Sequence, residues 1–175
     1  MTDFRWQGYT HQELYTNLNS GPGAAAAAEP ITHLTNVSKA LGVINQDMVN
    51  AIKSTTHTWE GAAAEAARNA FSALAKWATD AQPHLDNNKN VFQKQGDLLT
   101  QARANMPAPV PAANPEQSSG LFGGLFSLID AEVTEWIQNT AAAKAVQVME
   151  QYHSNSSENT KSFSPIPTPP QVVHS

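Results

Sequence analysis

Two long runs of apolar residues, each stepping by three and four, meet at a Trp-Glu-Gly. This pairing constrains the chain more than any other feature. The first run is Leu34, Val37, Leu41, Ile44, Met48 and Ala51/Ile52, with Asn36, Ser38, Lys39, Gln46, Asp47 and Asn50 between its positions. The second is Phe71, Leu74, Ala78, Ala81, Leu85, Asn88, Phe92, Gln95, Leu99 and Ala102. A three-four repeat is the seam of a helix that packs nearly along another helix. Only a short loop around Trp59-Glu60-Gly61 separates the two runs, and a short loop makes an antiparallel hairpin. Gly61 permits a tight reversal there. Thr56 and Thr58 suit a helix interior poorly, and Thr58 also suits a cap. Glu60 and Glu65 stand near the positive end of the second helix's dipole. Trp59 is expected to fold over the reversal and cover the end of the bundle. A hairpin with two such faces cannot bury them by itself. It needs a third and a fourth helix, from this chain or from a partner.

Two features disturb the second run. Asn88 and Gln95 place amides in the seam. Either they face inward and fix register, or the face has rotated to solvent there. Pro83 removes a backbone donor and crowds the carbonyl of Thr79, so a kink is expected near Asp80 to Gln82.

The rest of the chain divides around this hairpin. Residues 1–23 read as an arm with a short helix, because His11, Leu14, Tyr15 and Leu18 recur at helical spacing. SGPG, residues 20–23, stops that helix. The hairpin occupies 24–105; its first helix begins between Ala24 and Thr32, where Pro30 fits a first turn. Residues 106–127 combine a proline-rich connector with an apolar segment, GLFGGLFSLI, that begins at Gly120. A further helix follows over 128–162, with Ile129, Val133, Ile137, Ala141, Ala145, Val148 and Tyr152 on one face. Residues 163–175 have the composition of a disordered proline-rich tail. No strand alternation is present, so the expected fold class is all-α: an elongated antiparallel helical hairpin or bundle with an additional C-terminal helix.

Composition removes several classes of function. A net charge of -5 argues against nucleic-acid binding, which needs a basic face for phosphates. The absence of cysteine excludes disulfides, thiolate nucleophiles and Cys-based zinc sites. The longest apolar run is too short to span a bilayer, which takes about 20 residues, so no transmembrane segment is expected. MTDFRWQG has no basic region leading into an apolar one, hence no ordinary signal peptide. The chain then works in the cytosol or leaves by a route that reads no such signal. His11, His33, His57, His84, His153 and His174 show no helical metal-ligand spacing. SGPGAAAAAE lacks the Lys-Ser/Thr of a phosphate loop, and Gly-x-Ser-x-Gly is absent. Glu60 and Glu65 read as a solvated pair at a helix start rather than a general acid and base. The expectation is no enzyme, no metal and no cofactor.

Helix, Trp59-x-Gly61 and second helix, with HQELYTNLNSGPG upstream, resemble the PPE-like proteins of the type VII (ESX) secretion group, larger relatives of the small WxG proteins of actinobacteria. The resemblance covers roughly residues 3–105, and KAVQVMEQYHSNSSEN resembles the C-terminal helix of PPE-like proteins outside the mycobacterial core set. The Pro-Pro-Glu that names the family is absent; Thr10-His11-Gln12 stands near its place. The resemblance implies a secreted or envelope-associated protein that forms a helical-bundle heterodimer with a small PE-like or WxG-type partner. It implies further contacts with an EspG-type chaperone and a type VII secretion ATPase. Partner contacts would come from Leu34, Val37, Leu41, Ile44, Met48, Ile52, Phe71, Leu74, Leu85, Phe92 and Leu99. Leu121, Phe122, Leu125 and Phe126 are the candidate chaperone tip, with the alternative that they tuck back onto the bundle. The family's export signal, Tyr-x-x-x-Asp/Glu, is not met at Tyr152, where Ser156 follows. It is met at Tyr9 and Glu13, before the hairpin, where it reads as coincidence. Export would then depend on the partner's signal. Two other readings stay open: the delivery domain of a larger effector or toxin, and a self-contained cytosolic helical scaffold.

Overall fold

In the computed structural model the described residues are 5–55, 59–109 and 131–172. Every regular element among them is helical. Helix α1 is His11–Asn19, α2 is Ala28–Thr55, α3 is Ala62–Asn105 and α4 is Ala131–Lys161. Short 3-10 turns at Trp6–Gly8 and Ala24–Ala27 precede α1 and α2. The protein is an all-α helical bundle. It divides into two compact units, one of Met1–Ala24 with Asp97–Ser157, the other of Ala25–Gly96 with Glu158–Ser175.

The first unit is built on the short arm helix. Thr10 starts α1 through a reciprocal cap: the Glu13 amide donates to Thr10 Oγ1 at 3.3 Å, and the Thr10 amide donates to Glu13 Oε2 at 2.8 Å. Two of the helix's orphan donors are thus satisfied at once. The Thr10 amide, and next its hydroxyl, hold the Glu13 carboxyl below its usual range. This support is complete above the ordinary carboxylate pKa and is lost as pH falls through the lowered folded value. The Tyr9–Glu13 spacing therefore has a local structural account, since Glu13 closes the cap. Leu14 and Leu18 project from α1 into a core with Ala102, Met106, Ala145, Val148 and Met149. Trp6, Tyr15, Leu99, Val146 and Tyr152 pack around it. His11 Nε2 meets the Pro107 carbonyl at 2.9 Å, and Gln7 Nε2 donates to Glu150 at 2.8 Å.

The SGPG segment does more than stop α1. Arg103, in the last turn of α3, donates from Nε to the Leu18 carbonyl at 2.9 Å and from Nη2 to the Gly21 carbonyl at 3.0 Å. A fixed cation thus meets carbonyls at the negative end of α1. Gly23 has φ +76°, and a Cβ added there would lie 2.7 Å from Arg103 Nη1. Gly61 has φ +99° with nothing within 4 Å of an added Cβ. The two glycines thus separate conformation from space. Gly61→Ala is expected to cost only the positive-φ penalty, about 1–2 kcal/mol. Gly23→Ala carries that penalty and also displaces a guanidinium holding two carbonyls, for a total of about 2–4 kcal/mol. Urea denaturation of both variants checks this; equal losses would mean that Arg103 moves aside without cost.

The second unit contains the hairpin. Asn45 Nδ2 donates to Thr79 Oγ1 at 3.1 Å, and a Cβ at Gly42 would stand 3.4 Å from Gln82 Nε2. These contacts advance on α3 as they retreat on α2, which is antiparallel pairing. Helix α2 begins at Ala28, so Pro30 falls in its first turn, where a missing N–H is harmless. Helix α3 continues unbroken through the exposed Pro83. At the reversal, Arg68 Nη1 donates to the Trp59 carbonyl at 2.9 Å and the Trp59 amide donates to Thr55 at 3.1 Å. The Trp59 side chain is 42% exposed, so it does not seal the end as expected; small Ala64 is the fully buried residue of the first turn of α3. Thr56 and Thr58, with its expected cap, lie outside the described residues.

The amides in the α3 seam face inward. Asn159 of α4 is 2% exposed, and its Nδ2 donates to the Val91 carbonyl at 2.9 Å and to Gln95 Oε1 at 3.1 Å. Asn88 binds the backbone of Ser164 twice, donating to its carbonyl at 3.0 Å and accepting from its amide at 2.8 Å. Asn88 and Gln95 therefore face inward onto partners rather than being rotated to solvent. The residues they meet also correct the expected tail. Residues 162–167 are laid along α3 rather than disordered. Beyond the Asn88 pair, Asn87 Nδ2 donates to the Ser162 carbonyl at 2.7 Å, and Trp77 Nε1 donates to the Pro167 carbonyl at 2.7 Å. Phe163 packs edge-on against Phe92 at 5.2 Å. Composition favoured disorder because prolines carry no amide donor; here side chains of α3 donate to the carbonyls of Ser162, Ser164 and Pro167, and the segment's Ser164 amide finds Asn88.

Candidate interaction surface

Helix α2 spans 28 residues and contains no buried residue. Its seam residues Leu34, Val37, Leu41, Met48 and Ile52 are half-buried, and Ile44 is 44% exposed with Val43 beside it at 61%. The cause lies on the opposing helix. Thr79 and Gln82, which meet α2, share their face of α3 with Ala75 and Ala78. Alanine side chains are too short to enclose leucine and isoleucine, so α2 keeps part of each large side chain open. Covering such a half-exposed side chain is worth on the order of 1 kcal/mol.

The partner residues expected on α3 divide into two groups. Phe71 is exposed and Leu74 half-buried, so both remain on offer. Leu85, Phe92 and Leu99 do not. Leu85 is 2% exposed, Phe92 carries Phe163, and Leu99 packs against the core of the first unit. A heptad count cannot distinguish a seam filled in cis from one left open. That requires knowing where α4 and the segment after it return.

In the first unit, α4 is apolar and open over its early turns. Val133 is 46%, Trp136 68% and Ile137 36% exposed, whereas Ala145, Val148 and Met149 are buried. The expected apolar face of α4 is therefore internal only from Ala145 onward. Trp136 was missed in the sequence reading; its signal was its place three residues after Val133 and beside Ile137. Leu121, Phe122, Leu125 and Phe126 lie outside the described residues. A groove of about 290 Å³ between α3 and α4 is lined mainly by amides, among them Gln101, Asn105, Gln147 and Gln151. Lys144 is its one charged residue, and no carboxylate or imidazole lines it. Such a lining offers hydrogen bonds and no acid-base pair.

Among the described residues, no helix is long and apolar enough to cross a membrane. No family model and no curated protein matches the chain.

Proposed function

We propose that this chain is an interaction module of type VII (ESX) secretion, a PPE-like protein that pairs with a small PE-like or WxG-type helical partner. One observation carries the reading: a long helix with a regular apolar seam that buries no residue within its own chain. A helical hairpin from a partner would cover Leu34, Val37, Leu41, Ile44, Met48 and Ile52, with Phe71 and Leu74 from α3. The Trp59-x-Gly61 reversal and the SGPG segment ahead of the hairpin support the family part of the reading. Export would follow on the partner's signal. The open turns around Val133 and Trp136 are the place for a second contact, of the chaperone kind.

The test is light scattering coupled to size exclusion, on the chain alone and co-expressed with the small helical product of a neighbouring gene. The expected result is a 1:1 complex that is more stable than the chain alone. A sharp monomer that ignores the neighbour would overturn pairing and favour a self-contained scaffold.

A further inference from the structure

Helix α3 carries five side chains that converge on one short extended segment: Trp77, His84, Asn87, Asn88 and Phe92. From Phe163 onward they meet the segment in descending order as it ascends, Phe92 on Phe163, Asn88 and His84 on Ser164, Trp77 on Pro167, while Asn87 takes the Ser162 carbonyl ahead of them. The segment thus runs antiparallel to the helix. The contacts are mostly to backbone atoms. Asn87 and Trp77 each donate to a carbonyl, and Asn88 reads both the amide and the carbonyl of Ser164. In an extended residue these two groups point the same way, and a carboxamide offers the matching donor and acceptor. Two side-chain readings accompany them: Phe163 on Phe92 and the Ser164 hydroxyl on His84 Nδ1.

We infer that this face of α3 is a binding site for an extended, proline-rich peptide of the form Phe-Ser-Pro-x-Pro, held here in cis by the chain's own residues 163–167. The pattern of donors explains the class of ligand. Helix α3 reads the backbone amide of Ser164, whereas at Pro167 it asks only for the carbonyl, which proline retains. Prolines also pre-set an extended backbone, so little conformational entropy is lost on docking. Polar side chains that recognise backbone, with one edge-on aromatic contact, make a site that accepts the same sequence from another molecule. This site goes beyond the proposed pairing and does not rest on it, because α2 meets a different set of α3 residues.

The experiment uses the full chain and a fluorescein-labelled peptide of residues 161–172. Phe163→Ser with Ser164→Pro removes the aromatic contact, the amide and the hydroxyl, and so releases the cis segment. Anisotropy is expected to show saturable peptide binding to this variant. Binding to the wild-type chain should be about tenfold weaker or more, since the tethered segment competes at high effective concentration. Adding Asn88→Asp, which replaces the donor with a second acceptor, or Trp77→Phe, which removes only the indole donor, should each weaken binding by about tenfold. No saturable binding to a released variant with wild-type helical circular dichroism overturns the inference. So does binding that neither added substitution changes. A second measurement avoids the released variant: a peptide with a photo-crosslinking side chain at position 163, in excess over the wild-type chain. It should label α3 around residues 84–92, and labelling elsewhere overturns the site.

Discussion

Ile44→Asp is expected to leave the isolated chain folded and to abolish its complex with a helical partner. Ile44 is 44% exposed and Val43 beside it 61% exposed in the chain by itself. Exposed substitutions of this kind usually change stability by about 0.5 kcal/mol or less. In a paired bundle the same carboxylate would be buried against apolar side chains with no cation. Enclosing an unpartnered charge costs several kcal/mol, which corresponds to more than about a hundredfold in affinity. The two effects are read separately, by thermal unfolding of the chain alone and by light scattering of the co-expressed pair. Leu41→Asp is the weaker probe, because Leu41 is half-buried within its own hairpin and the change would damage both states. A complex that survives Ile44→Asp would move the partner away from the α2 seam.

Asn159→Asp is expected to destabilise the second unit by about 2–4 kcal/mol at neutral pH. Asn159 is buried and donates from one nitrogen to Val91 and Gln95. Aspartate has the same shape but brings an oxygen to the Val91 carbonyl. The Gln95 amide can turn to offer its NH2; a helical carbonyl cannot. Burial and facing acceptors disfavour the charged form, so the folded pKa of the new carboxyl rises above its unfolded value of about 3.9. The sign follows from that order. The penalty is small below the unfolded pKa, where the protonated acid can donate to Val91. It grows as pH rises toward the folded pKa and is constant above it. Urea midpoints of variant and wild type should therefore converge on acidification. A gap independent of pH would show that the loss comes from packing rather than charge.

The sequence was most informative where period alone decides the outcome. His11, Leu14, Tyr15 and Leu18 recur at helical spacing, and in α1 the two leucines are buried with His11 and Tyr15 half-buried. The two three-four runs specified the hairpin, because an apolar stripe must face another helix whichever helix that is. Gly61 and SGPG marked the ends of helices, since positive φ and proline are local constraints.

The chain by itself therefore determined helical content, the hairpin and its reversal. What tertiary structure decided was the occupant of each seam. Leu34 and Leu85 have the same place in the same kind of repeat, yet one is half open and the other is closed. The difference lies in what lies across from each, and that comes from residues far along the chain. Asn88 and Gln95 were ambiguous for the same reason: an amide in a seam is a defect until its partner is known, and Ser164 and Asn159 are the partners. The segment 162–172 shows the limit most plainly. Its composition gives it little means to satisfy its own backbone, and residues 162–167 are held because α3 presents Trp77, Asn87 and Asn88 at the spacing where the carbonyls of Pro167, Ser162 and Ser164 fall.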